Sequence, residues 1–410
     1  MIEWARKFFA IQKSFFVLEM GGFSLTDKSF QKEYIRLSNE EPSMTIKKVG
    51  ILTGGGDCSG LNAVIRAVTR AAAIQYGAKI IGIEGGFEGL ISGQTRELTV
   101  KSTKDILTLG GTILGTTNKG NPFEYRERLD DGSIKTTDYS DKAVRTFNEL
   151  KLDCLFVVGG EGTLEIGYKF FKKGIPIIGI PKTIDNDLEK TDYTFGFQTA
   201  VQVACDALDR LQTTGRSHHR VMILEVMGRN AGWIALEAGI AGGAHIILIP
   251  EIEYDIENVI RKIVFRKKGG SPYSIIMIAE GAKEKGGSTV KAEEAKGRLQ
   301  GVEKLGGVGF YLAKQIEKQI DLEVRTTVLG HIQRGGSPNS FDRVLGTRLG
   351  SFAVDAAALS KFGTMVALKT PDVVLVDLKD LAGKIRTVSL DSQLIRCAES
   401  IGINMGREAM

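Results

Sequence analysis

Short apolar runs that end in glycine or in a polar residue recur along the chain from residue 46 onward. Seven of them predict strands, at 47–53, 78–86, 152–160, 175–183, 220–228, 245–251 and 274–281. Several of the intervening segments place apolar residues at helical spacing. Continuously apolar strands that alternate with helices are typical of parallel sheets covered on both faces. The pattern therefore predicts an α/β fold with mostly parallel sheets covered by helices.

The same pattern suggests how the chain divides into domains. We expect a non-core extension at 1–45, two Rossmann-like α/β domains at 46–185 and 186–350, and a C-terminal segment, 351–410, that packs back on the core with one or two strands and a helix. The boundary near 185 follows the usual place of ligand crevices, at the carboxyl ends of strands. The charged stretch 282–306 is expected to be a loop or an exposed helix pair.

Composition narrows the classes of function. The chain has 410 residues and a formal net charge of +5, without a run of basic residues, so nothing indicates nucleic-acid binding. No apolar run reaches the roughly 18 residues that a membrane span needs. The four cysteines lie far apart and show no zinc spacing. We therefore expect a cytoplasmic protein without nucleic-acid or membrane partners.

Two glycine-rich loops each follow a predicted strand and precede a predicted helix, GGGDCSGLN at 54–62 and VVGGEGTLE at 157–165. Glycine lets backbone N–H groups approach a phosphate, and a helix N-terminus favours anions. Neither loop matches the P-loop or the dinucleotide fingerprint. Glu161, between two glycines, is a candidate Mg²⁺ ligand. A tight structural turn is the alternative for each loop.

Acidic residues mark the end of the strand in PKTIDND, 181–187, where Asp185 and Asp187 alternate on one side of an extended segment. Phosphoryl transfer needs a carboxylate that accepts the hydroxyl proton and a second group that works with metal. An acid-rich turn is the alternative.

Basic residues gather in two further segments, which contain Arg220, Arg229, Arg325, His331 and Arg334. The fork geometry of arginine suits phosphate oxygens, so these residues are candidate ligands of a sugar phosphate. Solvated strand ends and a basic surface patch are the alternatives. Glu280, at the end of a strand, can bond sugar hydroxyls or simply terminate the strand.

Taken in order, GGD-x-x-G-x-N, GTILGTT, GGEGT, TIDND, EVMGR and GHIQRGGSP resemble the phosphofructokinase family from about residue 47 to 350. The resemblance implies transfer of a phosphoryl group from Mg-ATP to the 1-hydroxyl of fructose 6-phosphate, a committing step of glycolysis. It implies Asp185 as the general base and Mg²⁺ at Glu161, where the family usually has Asp. It also implies a homodimer or homotetramer whose subunits share active-site arginines, matched here by Arg220 and Arg325.

The resemblance assigns the remaining site residues by position. Those at the phosphoryl donor are Gly56, Asn118, Lys119, Gly160, Glu161, Gly162, Thr163 and Lys182. Those at the sugar phosphate are Thr183, Ile184, Asp185, Asp187, Arg220, Met227, Gly228, Arg229, Glu280, Arg325, His331, Ile332, Gln333 and Arg334. The family's arginine after GGTILG is missing, and Lys119 is the candidate for its charge.

The two donor signals within this resemblance conflict. Gly162 leaves room for the inner phosphate of a nucleotide, whereas Lys182 resembles the branch that uses pyrophosphate. An Asp at position 162 would crowd and repel that phosphate. Because such exclusion is harder to evade than an added attraction from Lys182, Gly162 decides for ATP, with pyrophosphate as the alternative. A lipid or NAD kinase would explain GGEGT alone. A non-catalytic regulatory paralogue would not need Asp185.

Overall fold

The computed structural model describes residues 44–117, 120–294, 303–381 and 383–408. Almost all of the predicted extension 1–45 lies outside these ranges, as do Asn118 and Lys119. Among the helices of the described ranges, none combines the length and the hydropathy that a membrane-spanning segment requires.

The described strands, in chain order, are β1 (Lys48–Thr53), β2 (Lys79–Ile83), β3 (Thr95–Leu98), β4 (Tyr125–Arg128), β5 (Ile134–Thr137), β6 (Cys154–Gly159), β7 (Ile177–Thr183), β8 (Phe195–Gly196), β9 (Val221–Val226), β10 (Ile246–Leu248), β11 (Ser274–Ala279), β12 (Lys291–Glu294), β13 (Glu303–Leu305), β14 (Val324–Val328), β15 (Thr364–Lys369) and β16 (Asp372–Asp377). The described α-helices are α1 (Leu61–Tyr76), α2 (Phe87–Ser92), α3 (Ser140–Glu149), α4 (Glu161–Lys172), α5 (Phe197–His218), α6 (Trp233–Ala241), α7 (Ile256–Lys268), α8 (Val308–Glu317), α9 (Ser340–Ala358) and α10 (Gln393–Ser400). The described residues also include two 3₁₀ helices, Gly330–Arg334 and Leu378–Asp380.

Two mostly parallel sheets organise these strands. The first has the order β16-β15-β7-β6-β1-β2-β3, with β8 paired to β7, and only its outermost pairs, β15–β16 and β2–β3, are antiparallel. The second has the order β10-β11-β9-β14 and is parallel throughout. The predicted α/β class with mostly parallel sheets is confirmed.

The central strands are apolar because both of their faces are covered. Every residue of β6, β9 and β11 is buried. A parallel sheet with helices on both faces leaves no solvated side, so its strands lose the apolar–polar alternation of a half-exposed strand. The longest helix, α5, lies against β9 and β11 of the second sheet.

Three segments add to the sequence-based picture. In the described part of the stretch 282–306, β12 and β13 form an antiparallel two-stranded sheet, where a loop or an exposed helix pair was predicted. Strand formation in such a short polar segment depends on a pairing partner, which local propensity does not reveal. The strand pair β4–β5 was not predicted. In the C-terminal segment, β15 and β16 extend the first sheet beside β7.

Candidate active site

A cavity of about 430 Å³ lies where strands of both sheets end. Residues 54–57 reach it after β1, residues 160–163 after β6, and residues 182–185 at the end of β7. From the second sheet, Arg229 follows β9 and Arg334 follows β14. Residues that are far apart in the chain therefore meet at the carboxyl ends of parallel strands, where ligand sites of such sheets form.

Asp185 lies in a turn that hydrogen bonds fix on both sides of the residue. Its backbone N–H donates to Oγ1 of Thr183 at 3.1 Å, and the hydroxyl of Thr194 donates to the Thr183 carbonyl at 2.7 Å. Asn186 takes a left-handed conformation, φ 52°, and its Oδ1 accepts from the Thr194 N–H at 3.0 Å. The turn holds the Asp185 carboxyl at the cavity wall with only 7% of the residue exposed.

One oxygen of this carboxyl, Oδ1 of Asp185, is buried and has no hydrogen-bond partner among the described residues. A buried acceptor without a partner costs free energy, so its persistence needs an explanation. Because Asp185 lines the cavity, a donor hydroxyl on a bound ligand would satisfy that oxygen. The site is thus built to receive a proton donor.

Burial dominates the electrostatics of three acidic residues: Asp185 and Asp187, which line the cavity, and Glu280, which accepts from the backbone of Arg229. It raises the pKa of Asp185, a rise that Arg334 and Arg229 oppose. It raises the pKa of Asp187 to about 6, with a further contribution from the charge of Asp185. It also raises the pKa of Glu280 to about 7. Perturbed carboxyl groups that gather in a cleft are typical of a functional site.

The side chain of Thr163, at the start of α4, packs against a glycine of each loop. A Cβ at Gly159 would lie 2.3 Å from Cβ of Thr163, and a Cβ at Gly54 would lie 2.7 Å from its Cγ2. Only glycine permits this approach. The N-terminus of α4 thereby faces the cavity, where its free backbone N–H groups suit an anion. By contrast, a Cβ at Gly162 would meet no described atom within 4 Å.

Lys182 is buried beside the first glycine loop. Its ammonium group donates to the carbonyl of Gly56, and burial lowers its pKa. Arg334 lies against the same glycine, since a Cβ at Gly56 would come within 2.6 Å of its Nη1. Two cations therefore flank the loop that the sequence assigned to the donor, although Arg334 was assigned to the sugar phosphate.

Residues after β9 form a second wall. Arg229 has φ 50°, a conformation uncommon outside glycine, and its N–H donates to Oε1 of Glu280 at 3.1 Å. The Met227 N–H donates to Oε1 of the buried Gln333 at 2.8 Å. Glu280 and Gln333 therefore hold the backbone of the 227–229 turn, so that Arg229 reaches the cavity.

Of the other predicted residues, Met227, Gly228, Glu280 and Gln333 do not line the cavity themselves, and neither do Arg220, Arg325, His331 and Ile332. His331 and Ile332 are exposed. Arg220 and Arg325 stand at the amino ends of β9 and β14, where both pair with Glu323. At about 3.3 Å per residue, β9 separates Arg220 from the cavity by roughly 20 Å. Within one chain these two arginines do not reach the site.

The structure also adds residues that the motifs missed. Phe87, Asn121 and Asn230 line the cavity, as does Ile385 from the C-terminal segment. Asn230 directly follows a predicted residue, and that adjacency was a usable signal. Ile385 carried none, because no motif surrounds it. Asn118 and Lys119 lie outside the described residues.

Comparisons with known proteins point to one family. A family model described as Phosphofructokinase matches residues 48–357. The chain is 49% identical over 360 residues to the ATP-dependent 6-phosphofructokinase 2 of Clostridium perfringens, covering 88% of this chain and 98% of that protein. It is 50% identical over 363 residues to the ATP-dependent 6-phosphofructokinase of Chloroflexus aurantiacus, with the same coverage.

Relatives named for another donor are similar as well. The pyrophosphate–fructose 6-phosphate 1-phosphotransferase of Amycolatopsis methanolica is 47% identical over 342 residues, which are 83% of this chain and 96% of that protein. Among solved structures, the phosphofructokinase of Pichia pastoris in the T-state superposes with a TM-score of 0.68 at 30% identity, covering 82% of this chain and 35% of that one.

Proposed function

The chain belongs to the phosphofructokinase family, and from this premise we propose that it phosphorylates the 1-hydroxyl of fructose 6-phosphate with ATP. The observation that carries the proposal is Asp185, a buried carboxyl with one unpartnered oxygen at a cavity between two glycine loops and two arginines. This arrangement suits a proton acceptor beside a site for phosphates.

In the proposed reaction the 1-hydroxyl oxygen attacks the terminal phosphorus of ATP, while the bond to the bridging oxygen breaks and ADP leaves. Asp185 takes the hydroxyl proton. Its raised pKa makes it a stronger base than an exposed aspartate, while Arg334 and Arg229 favour its ionised form. The same cations, with the N-terminus of α4, stabilise the charge on the transferred group.

Mg²⁺ fits the acidic residues of this site. Glu161 and Asp187 both line the cavity, and the charge of Glu161 contributes to the raised pKa of Asp187. Carboxylate oxygens are ligands that Mg²⁺ prefers, with phosphates and water completing its shell. The bound ion would neutralise phosphate charge.

Two features favour ATP over pyrophosphate as the donor. The space around Gly162 is open, and the cavity continues along α4 past Ile166 to Lys169, which leaves room for a nucleoside. Lys182, the residue that suggested pyrophosphate, instead bonds the carbonyl of Gly56. That bond uses one of the three N–H donors of the ammonium group, and Lys182 still lines the cavity. The pyrophosphate-dependent reaction is the second candidate, because two of the similar proteins are named for it.

The test compares initial rates on fructose 6-phosphate with Mg-ATP and with Mg-pyrophosphate. We expect a clear preference for ATP, which Gly162→Asp should reduce far more than any pyrophosphate activity. Asp185→Asn should abolish transfer while substrate affinity is largely kept. A preference for pyrophosphate would refute the choice of donor, and a wild-type protein without transfer from either donor would point to a regulatory paralogue.

We also propose a homo-oligomer in which Arg220 and Arg325 serve the sugar-phosphate site of a neighbouring subunit. Their position at the far ends of β9 and β14 supports this, since they do not reach their own cavity. Coexpression of Arg325→Ala and Asp185→Asn subunits tests it. Hybrid oligomers should regain activity that neither variant shows alone, and inactive hybrids would exclude sharing.

A cytoplasmic location completes the proposal. All four cysteines are unpaired thiols, which suits a reducing compartment. Fractionation of cells that produce the tagged protein tests the location, and recovery outside the cytoplasm would contradict it.

A further inference from the structure

Residues 383–388, which we call the C-terminal strap, touch two acidic residues of the site. The Gly383 N–H donates to Oε1 of Glu161 at 3.3 Å, and the Arg386 N–H donates to the carbonyl of Asp187 at 2.8 Å. Between these bonds Ile385 pairs with Leu188 in an antiparallel bridge and lines the cavity. The strap lies beyond residue 357, where the match to the family model ends.

Arg386 anchors the strap. Its guanidinium stacks over the ring of Trp233 at 4.5 Å and donates to the carbonyls of Thr191 and Asp192, the latter at 2.7 Å. In return, Nε1 of Trp233 donates to the Arg386 carbonyl at 3.1 Å. A planar cation that stacks and bonds two carbonyls at once is a role that lysine cannot fill.

The far end of the strap is fixed by Glu251, a half-buried acid. The Val388 N–H donates to Oε1 of Glu251 at 2.8 Å, and the same carboxylate accepts from the Gly232 N–H at 3.0 Å. Gly232 directly precedes α6, whose first residue is Trp233. The strap thus ties the start of α6 to Glu161 and Asp187.

We propose that the C-terminal strap orients acidic residues of the active site and that Arg386 is the residue that positions the strap. The inference rests on the proposed phosphoryl transfer, because it assigns the strap the task of orienting Glu161 and Asp187. These like charges repel at the cavity, so a rigid support must hold them apart and in register. The strap bonds both, one through its carboxylate and the other through its carbonyl.

The first measurement is steady-state kinetics of Arg386→Ala with each substrate varied in turn. Because a displacement of about 1 Å can cost a hundredfold in rate, kcat/KM for Mg-ATP should fall by roughly tenfold to a hundredfold. The KM for fructose 6-phosphate should change less, because the strap bonds Asp187 through its backbone carbonyl, whereas Arg229 and Glu280 are held by each other. Arg386→Lys should restore only part of the loss.

Arg348→Ala is the matched control. Arg348 is exposed on α9, and its guanidinium also bonds a backbone carbonyl, that of Pro371. It lies outside the cavity lining, so its loss should leave all kinetic constants unchanged. If Arg386→Ala does not fold, Trp233→Phe keeps the ring but removes the N–H bond to the strap. Loss of this one hydrogen bond should lower kcat/KM for Mg-ATP by roughly twofold to tenfold.

Hydrogen exchange gives a readout that does not depend on turnover. The amides of Gly383, Arg386 and Val388 should exchange more slowly in wild-type protein when Mg-ATP is present, and this protection should disappear in Arg386→Ala. If the wild type transfers phosphate but Arg386→Ala matches Arg348→Ala, the strap inference is wrong and the proposed function stands. If the wild type transfers nothing, the remaining test is the hydrogen exchange of the strap amides with and without Mg-ATP. Unchanged exchange then overturns the inference.

Discussion

The raised pKa of Asp187 predicts that this group destabilises the fold as pH rises, the opposite of the usual behaviour of a carboxylate. Its folded-state pKa is about 6, against an ordinary value of 3.8, because burial and the charge of Asp185 disfavour ionisation. A carboxyl whose pKa is raised on folding binds its proton more tightly in the native state. Stability from this group is therefore intact at pH values near 4 and below, and is lost as pH rises towards and past 6.

The magnitude follows from the pKa difference. At about 1.4 kcal/mol for each pH unit, it corresponds to roughly 3 kcal/mol of free energy of unfolding lost by pH 8. Asp187→Asn removes the charge but keeps the shape of the side chain. In the absence of ligands and Mg²⁺, we expect the variant to match the wild type near pH 4 and to exceed it by roughly 2–3 kcal/mol at pH 8.

Urea unfolding across this pH range measures the difference. Asp192→Asn is the control of opposite sign, because Asp192 accepts from the Thr370 N–H at 2.8 Å and pairs with Lys369, which lower its pKa. That stability is present above the unfolded pKa and is lost as pH falls, so Asp192→Asn should destabilise at pH 8. If Asp187→Asn is no more stable than wild type at pH 8, the electrostatic account of the site is refuted.

Three further substitutions test how the glycine loops are supported. Lys182→Met should lower the free energy of unfolding by about 0.5–1.5 kcal/mol, because it removes the hydrogen bond to the half-buried Gly56 carbonyl. Urea unfolding measures that loss, and a variant that stays equally stable while losing only pyrophosphate activity would instead make Lys182 a donor ligand. Gly159→Ala should cost about 1–3 kcal/mol and most of the activity, since its Cβ would lie 2.3 Å from Thr163. Thermal unfolding of Gly162→Ala, where the space is open, should show little change, and equal losses in both variants would contradict the packing argument.

Much of the fold could be predicted from local pattern. The buried strands β6, β9 and β11 are continuous apolar runs because helices cover both sides of each sheet. Pattern failed where a partner strand decides the structure, as in β12–β13 and β4–β5. Such short polar strands form only when a second segment completes their hydrogen bonds.

The site, too, has a part that local pattern predicts and a part that it does not. Asp185, the two glycine loops and Arg229 were predictable because each stands in a short motif at the end of a strand, and parallel strands bring such ends together. The bond from Lys182 to Gly56 and the contact of Arg334 with the same glycine join residues more than 120 positions apart. No local spacing encodes contacts of that range.

By itself, then, the sequence determined the α/β class, the family and the acid that we propose as the base. The tertiary structure decided what surrounds that acid: its unpartnered oxygen, the engaged ammonium of Lys182, and the strap held by Arg386. The physical reason is that strand order and helix periodicity are repeated local choices, whereas burial and electrostatic coupling arise only when distant segments exclude water from one another.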